Sequence, residues 1–264
     1  MRMQKAIFKI KMSEFTAYRS NVYLNFMFGC VPLVLYILLW KAIYGEQIEL
    51  IGGYSYEQMI TYYVIAFLLS NILNVRDNTV KIAMMIEDGS IHNQMLKPIG
   101  FFSLNFKLYR AEKLIYFLNI SIPYLTFCLV FHRYIFWKAS HLLFFFLSVC
   151  VAFVLKYIIG SILGLLTTWI EEISGLLDFW ENIEGFLSGG LLPLSILPKP
   201  LFTVISFLPF KYILFVPIDI YIGNIQGIEI AKALGIQVLW SVALGILLYK
   251  LKKEAFRKYT GYGS

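Results

Sequence analysis

The chain has 264 residues, of which 59% are apolar and 17% aromatic, and its formal net charge is +7. Six long apolar stretches take up about half of this length, and no segment between them is long enough for a separate soluble catalytic domain, which would need on the order of 100 residues. Lysine and arginine follow the edges of these stretches and form no separate basic surface. This pattern argues against nucleic-acid binding and suits contact with anionic lipid headgroups.

The apolar stretches predict membrane-spanning helices. A run of about 18 or more apolar residues can cross the roughly 30 Å of hydrocarbon in a bilayer. Backbone groups in lipid need internal hydrogen-bond partners, so we expect helices. The fold class is therefore an all-α membrane protein, a single transmembrane domain over residues 1–264. The six predicted spans are Val22–Tyr44, Tyr56–Leu73, Leu114–Phe131, Leu142–Trp169, Ile173–Leu197 and Ala231–Tyr249.

The first 20 residues form a basic leader with partial helical periodicity. Met3, Ile7, Ile10 and Tyr18 fall on one side of a helix. We interpret residues 1–20 as a helix that lies on the inner membrane surface, with a disordered basic leader as the alternative. Basic residues concentrate in this leader, after the second span and in the tail, so both termini are predicted to be cytoplasmic.

Residues 74–113 form the longest predicted cytoplasmic segment. Apolar positions between Val80 and Ile91 indicate a short helix, and Gly89 is a typical residue to end it. Pro98 bars regular helix at its own position. A second helix is predicted to begin near Phe101 and to continue into the third span, which gives a stiff helix–break–helix at the inner surface.

Residues 198–230 are apolar but interrupted by proline at positions 198, 200, 209 and 217. A full span with this proline spacing is not expected. We predict short helices at the outer surface that dip back into the membrane. Irregular backbone is not tolerated in contact with lipid, so the segment should pack on other helices or line a cavity.

Charged residues inside the fourth and fifth spans are the sharpest local signal, because each is costly at that depth. If the two helices run antiparallel about a turn near residue 170, residues at equal depth have numbers that sum to about 340. Lys156 then lies level with Glu184, and Glu181 is within one turn. Three interpretations stay open: an ion pair of Lys156 with Glu184 or Glu181, a polar helix face that also carries Asp178 at the interface or a wet vestibule, and a proton relay.

Other motifs carry less information. Gly160 with Gly164, and Gly185 with Gly189, would let a neighbouring helix approach closely. The three cysteines fall inside apolar spans and the three histidines are scattered, so no metal site is expected. No metalloprotease, nucleophile-elbow or P-loop motif is present, and we therefore expect neither catalysis nor ATP binding by this chain.

Four segments carry a family resemblance when taken in order. They are IleGlyGlyTyr at 51–54 with TyrGluGlnMetIleThrTyrTyr at 56–63, IleGluAspGlySerIleHisAsnGlnMetLeuLysProIle at 86–99, GlyGlyLeuLeuProLeuSerIleLeuPro at 189–198, and LeuProPheLysTyrIleLeuPheValPro at 208–217. With the basic leader and the proline-broken segment before the last span, the chain resembles a membrane subunit of an ATP-binding-cassette type 2 exporter, in the subgroup of small paired permeases.

The resemblance implies a role for each segment. Residues 1–20 resemble the connecting elbow helix, and 198–230 resemble the outer re-entrant helices that close the external end of the pathway, with Pro198, Pro209, Phe210 and Pro217 as the outer gate. The segment between spans 2 and 3 resembles the coupling helix that seats on a separate ATPase subunit, through Ile86, Glu87, Asp88, Gly89, Ile91, His92, Leu96, Lys97 and Pro98.

The expected function is that of an exporter permease in the plasma membrane, which moves an amphipathic or apolar substrate out of the cytoplasm. The resemblance implies an ATPase partner subunit, which binds ATP and magnesium, and a second permease chain, either the same or a paralogue. The alternative is a stand-alone channel or secondary transporter that uses the intramembrane charges. A membrane-bound enzyme would need a reactive constellation, and the sequence contains none that we recognise.

Overall fold

The computed structural model describes residues 2–45, 49–91, 100–136, 140–170 and 173–260. Regular structure in these residues is α-helical, apart from an isolated antiparallel bridge between Ile51 and Tyr54. Short 3-10 turns lie at His132–Tyr134, Leu194–Ile196 and Phe210–Tyr212. The α-helices are α1 (Arg2–Tyr44), α2 (Tyr56–Ile72), α3 (Arg76–Glu87), α4 (Phe101–Val130), α5 (Leu142–Leu166), α6 (Ser174–Leu187), α7 (Lys199–Ser206), α8 (Phe215–Ile222) and α9 (Ile228–Thr260).

Five segments of the described chain are long and apolar enough to cross a membrane, one fewer than the sequence predicts. The predicted span Ile173–Leu197 is instead the 14-residue helix α6 followed by irregular chain. At 1.5 Å per residue α6 reaches about 21 Å, which is too short for the hydrocarbon layer. The helix stops because Gly189 has φ +86° and Pro193 follows it. The five segments are Phe26–Tyr44, Tyr56–Glu87, Phe101–Val130, Leu142–Leu166 and Ile228–Arg257.

The predicted elbow over residues 1–20 is not a separate element. Helix α1 runs unbroken through 43 residues, Gly29 and Pro32 included. No proline or glycine before Gly29 separates the leader from the span. The length of α1, roughly 65 Å, is about twice the thickness of the hydrocarbon layer. The leader therefore extends the first span along α4, where Lys11 Nζ lies 2.9 Å from a carboxylate oxygen of Glu112.

The two helices predicted to follow α2 are both present. Helix α3 ends with Asp88 as its C-cap, and Gly89 follows with φ +72°, a left-handed conformation that glycine adopts without strain. Helix α4 begins at Phe101, where the sequence predicts it, and continues into the third span. The candidate residues His92, Leu96, Lys97 and Pro98 lie outside the described residues.

Helix α5 packs against α3, α8 and α9, whereas α1 packs against α2 and α4. Helix α8 contacts α2 and α5 and is buried along its whole length. The proline-rich segment therefore rests on other helices, as the cost of unpaired backbone in lipid requires. One main hydrophobic cluster joins α1, α2, α5 and α8.

Two glycines let α3 pack directly on α5. A methyl group on Gly160 would lie 2.6 Å from a Val75 side-chain carbon, and one on Gly164 would lie 2.9 Å from the Ile82 side chain. The same methyl on Gly164 would be 3.0 Å from the Thr79 carbonyl oxygen. Both glycines of this predicted packing motif are therefore in use, and their partner is the short helix α3.

We predict that Gly164→Ala weakens the contact between α3 and α5. The added methyl meets a backbone oxygen that cannot move alone, and overpacking of this kind costs about 1–3 kcal/mol. Thermal unfolding of the detergent-purified chain should show a lower Tm. Gly235→Ala in α9 is the matched control, because no atom lies within 4 Å of its new methyl group. Equal Tm values for the two variants would contradict this account.

Candidate functional site

Helix α6 carries three acidic side chains, each of which contacts a basic group of another helix. Its acidic side chains recur at residues 178, 181 and 184, which places them along one side of the helix. Only Leu177 and Glu184 of this helix are buried, whereas Phe179 is 63% exposed. Leu177 belongs to the main hydrophobic cluster, and Trp180 and Leu187 pack against that cluster, so apolar and polar contacts together position the helix.

Lys156 of α5 and Glu184 of α6 form a buried ion pair. The second carboxylate oxygen of Glu184 accepts a hydrogen bond of 2.9 Å from the indole N–H of Trp180. Each charge is therefore matched inside the protein, as an ionised group away from water requires. Of the two partners that the sequence left open for Lys156, the geometry selects Glu184.

Asp178 and Glu181 bind an arginine that the sequence analysis did not single out. Arg76, in the first turn of α3, places Nη2 2.7 Å from Asp178 Oδ1 and Nη1 2.7 Å from Glu181 Oε2. This arrangement crosses from α3 to α6 and is largely exposed. The polar-face interpretation thus describes one end of α6 and the ion-pair interpretation describes the other, while the proton relay stays a prediction.

A cavity of about 310 Å³ lies between α3, α5 and α6. Lys156, Glu184 and Arg76 contribute charged groups to its lining, and Trp180 and Leu214 contribute apolar surface. Ser188 also lines it, and its buried hydroxyl has no hydrogen-bond partner within the part of the chain that the structure describes. Apolar walls with a few fixed polar groups are typical of a site for an amphipathic small molecule.

The predicted outer-gate residues do not share one environment. Phe210 is buried, with its ring centroid 5.3 Å from that of Trp180, and Pro217 is buried inside α8. Pro198 is the exposed N-cap of α7, and Pro209 precedes the 3-10 turn. Among the four, Phe210 is therefore the residue that connects the proline-rich segment to α6.

The predicted coupling residues separate into buried and exposed groups. Ile86 and Ile91 are buried in a cluster with Phe101, Leu165 and Ala255, so they anchor α3 to the chain's own core. Glu87 and Asp88 are exposed and Gly89 is partly exposed. Of the described candidates, those three are available to a partner protein.

A second polar network, missed by the sequence analysis, lies at the opposite end of α2. The buried carboxylate of Asp219 in α8 accepts hydrogen bonds from the Tyr54 hydroxyl and, at 3.4 Å, from Asn224 Nδ2. The Tyr62 hydroxyl donates to the Gly189 carbonyl at 2.8 Å. An aspartate within the apolar run PheValProIleAspIleTyrIle was the available signal.

Burial raises the pKa of Asp219 to about 7, and α8 lies outside the five candidate spans. The hydrogen bonds from Tyr54 and Asn224 oppose this rise. The neighbouring titratable groups are Tyr54 and Tyr62, which are neutral hydroxyls at that pH. The Asp219 carboxyl is therefore about half protonated near neutral pH.

Comparison with known proteins identifies a membrane transport family. The family model described as ABC-2 family transporter protein matches residues 30–263, which is nearly the whole chain. No curated protein matches the sequence.

We predict that Lys156→Met alone destabilises the fold, because it leaves the buried Glu184 carboxylate without its cation. Removing one partner of a buried pair costs about 3–5 kcal/mol. Adding Glu184→Gln removes the stranded charge and should recover most of the loss in Tm and in folded yield. Arg76→Gln is the control, since exposed ion pairs contribute only about 0–1 kcal/mol. A double variant as unstable as Lys156→Met would contradict the pairing.

We predict a pH-dependent stability difference between the wild type and Asp219→Asn. The folded-state pKa of Asp219 is raised, so the folded protein holds a proton that the unfolded chain, with a pKa near 4, releases. The wild type should therefore lose stability relative to Asp219→Asn as the pH rises from about 4 to about 7. Tm measured across this range tests it, with the exposed Glu229→Gln as control. A difference that stays constant with pH would refute the assignment.

Proposed function

Because the chain belongs to the ABC-2 family of transporter proteins, we propose that it is the transmembrane permease subunit of an ATP-binding-cassette exporter. The family match over residues 30–263 is the observation that carries this proposal. ATP and magnesium would be bound by a separate ATPase subunit. A second permease chain, the same or a paralogue, would complete the pathway in the plasma membrane. Both termini would lie in the cytoplasm, which requires the chain from α6 to α8 to supply a sixth crossing beside the five candidate spans.

The tip of α3 is the proposed contact with the ATPase. Glu87 and Asp88 are exposed there, directly before the Gly89 turn. The buried side chains of Ile82, Ile86 and Ile91 pack with Leu165 of α5 and Ala255 of α9. A force applied at the tip would therefore be passed to α5 and α9 rather than lost in a loose loop.

Displacement of α3 would act on the cavity through Arg76. This residue binds both Asp178 and Glu181, so a tilt of α3 strains or breaks the link to α6. The two arrangements, with the link formed or broken, would be the inward and outward states that nucleotide binding in the partner selects.

The cavity supports an amphipathic substrate. Trp180, Leu163 and Leu214 provide apolar contact, and the hydroxyl of Ser188 is free to bind a polar group. The bound substrate would leave the cytoplasm past the Trp180–Phe210 ring contact. Phe210 and Pro217 would belong to the outer gate.

The alternative is a stand-alone channel or secondary transporter that uses Lys156 and Glu184. It is favoured only by the burial of this pair. It requires transport by the purified chain in liposomes with no ATPase and no ATP, whereas the permease proposal requires none under those conditions.

We predict that the double reversal Glu87→Lys/Asp88→Lys separates the chain from its ATPase. Two lysines would replace the acidic side chains at the tip of α3 and would repel a basic surface on the ATPase. A loss of about 1.4 kcal/mol of binding free energy lowers the affinity for the ATPase tenfold. The measurement is ATP hydrolysis that co-purifies with the tagged chain from membranes of its native host.

The control is Glu229→Lys at the first turn of α9, an exposed acidic residue whose only carboxylate-to-lysine contact is with Lys232. It should retain the ATPase. The changed groups are exposed, and the hydrogen bond that Asp88→Lys removes, from the Ser90 backbone N–H to Asp88 Oδ1 at 2.9 Å, is exposed as well, so the Tm should change little. The proposed coupling contact would be refuted if the wild type co-purified with no nucleotide-hydrolysing subunit. It would also be refuted if the double reversal bound the ATPase as well as the wild type does.

A further inference from the structure

A second cavity, of about 540 Å³, lies between the start of α1, the α2–α3 junction and the first half of α4. Four basic and three acidic side chains line it: Lys11, Arg76, Lys81, Lys113, Glu14, Asp77 and Glu112. These charges do not simply cancel, because several are committed to partners. What remains determines which ligand the cavity could hold.

Two of the basic groups are already neutralised. Lys11 Nζ lies 2.7 Å from Glu14 Oε2 and 2.9 Å from Glu112 Oε2, so all three side chains form one cluster. Arg76 is held by Asp178 and Glu181 of α6, which do not line this cavity.

Lys81 and Lys113 remain without an acidic partner within 4 Å, as far as the described residues show, and Asp77 is the opposing carboxylate. Asp77 lies in the first turn of α3, where the helix dipole stabilises its charge. The uncommitted side chains of the cavity therefore favour an anion.

Two tyrosine rings position the Lys113 ammonium, although it has no carboxylate partner within 4 Å among the described residues. Its Nζ lies 5.7 Å from the ring centroid of Tyr109 and 6.0 Å from that of Tyr116. The Tyr109 hydroxyl donates to the Leu73 carbonyl at 3.2 Å, and the Tyr116 hydroxyl donates to Asn71 Oδ1 at 3.3 Å. Both rings are thus tied to the end of α2, and the ammonium is positioned before any ligand arrives.

The surface beside Lys113 is apolar and unpartnered. Leu114, Phe117 and Leu118 of α4 are 49%, 38% and 52% exposed, and they follow Lys113 along the helix in the direction of Val130. A hydrated small anion would gain nothing from this surface. A phospholipid would place its headgroup at Lys113 and its acyl chains along α4.

We propose that this cavity binds the phosphate of an anionic phospholipid headgroup from the leaflet at the α3 end of the bundle. Lys113 and Lys81 bind the phosphate, and Leu114, Phe117 and Leu118 contact the acyl chains. The bound lipid joins α1, α3 and α4, which all contribute to the cavity lining. The evidence for this lipid site does not rest on the proposed transport function.

The test is the Tm of the detergent-purified chain with added phosphatidylglycerol, or with phosphatidylcholine of the same acyl chains. Phosphatidylglycerol at about 100 times its Kd should raise the wild-type Tm by roughly 5 °C or more, and phosphatidylcholine should raise it much less. Lys113→Gln and Lys81→Gln should each lose at least half of the phosphatidylglycerol effect. Lys113→Arg keeps the charge and should retain it.

Lys252→Gln is the matched control. Lys252 also lies over two rings, those of Phe102 and Phe256, but does not line this cavity. Its variant should keep the wild-type response. Should Lys113→Gln fail to fold, the exposed Lys81→Gln decides the question. The proposal would be overturned if both lipids stabilised the wild type equally, or if Lys252→Gln lost as much of the response as Lys113→Gln. It would also be overturned if inorganic phosphate raised the Tm as much as phosphatidylglycerol does, because the cavity would then be a site for small anions.

Discussion

The polar attachment of helix α6 is the interaction on which the site depends. An amphipathic helix ordinarily docks through a wide apolar stripe, but α6 buries only Leu177 and Glu184. Trp180 and Leu187 add partly buried apolar contact, and Lys156 and Arg76 bind the three carboxylates of the helix.

The Lys156 contact and the Arg76 contacts on α6 differ in burial, and we therefore expect them to differ in how easily they break. The Lys156–Glu184 pair is enclosed, and its rupture would strand two charges away from water. The Arg76 contacts are exposed, so water can replace them at little cost. A motion that releases Arg76 while Lys156 keeps Glu184 would pivot α6 about its buried end and open the cavity at the α3 side.

The C-terminal end of α6, which carries Glu184, is also held through backbone groups. The Gly189 turn leaves these groups without helical partners. The hydroxyl of Tyr62 donates to the Gly189 carbonyl at 2.8 Å, and that of Tyr63 donates to the Leu191 carbonyl at 3.2 Å. Helix α2 thus satisfies irregular backbone that lipid could not. The same helix ends beside α3, so it connects the aromatic network around Asp219 with the proposed coupling region.

Much of this architecture follows from the sequence. The lengths of the apolar stretches fixed five helical spans, Gly89 marked the end of α3, and the depth argument brought Lys156 level with Glu184, with which it is in contact. These features depend on local composition and on the rise of a helix.

The sequence argument failed at Ile173–Leu197, where hydropathy continued although Gly189 and Pro193 ended the helix, and at the leader, where no residue separates an elbow from α1. Only the tertiary structure assigned Arg76 to Asp178 and Glu181, buried Ile86 and Ile91 inside the chain, and joined Tyr54 to Asp219. Those contacts join residues far apart in the chain, and hydrophobic periodicity contains no information about which helix faces which.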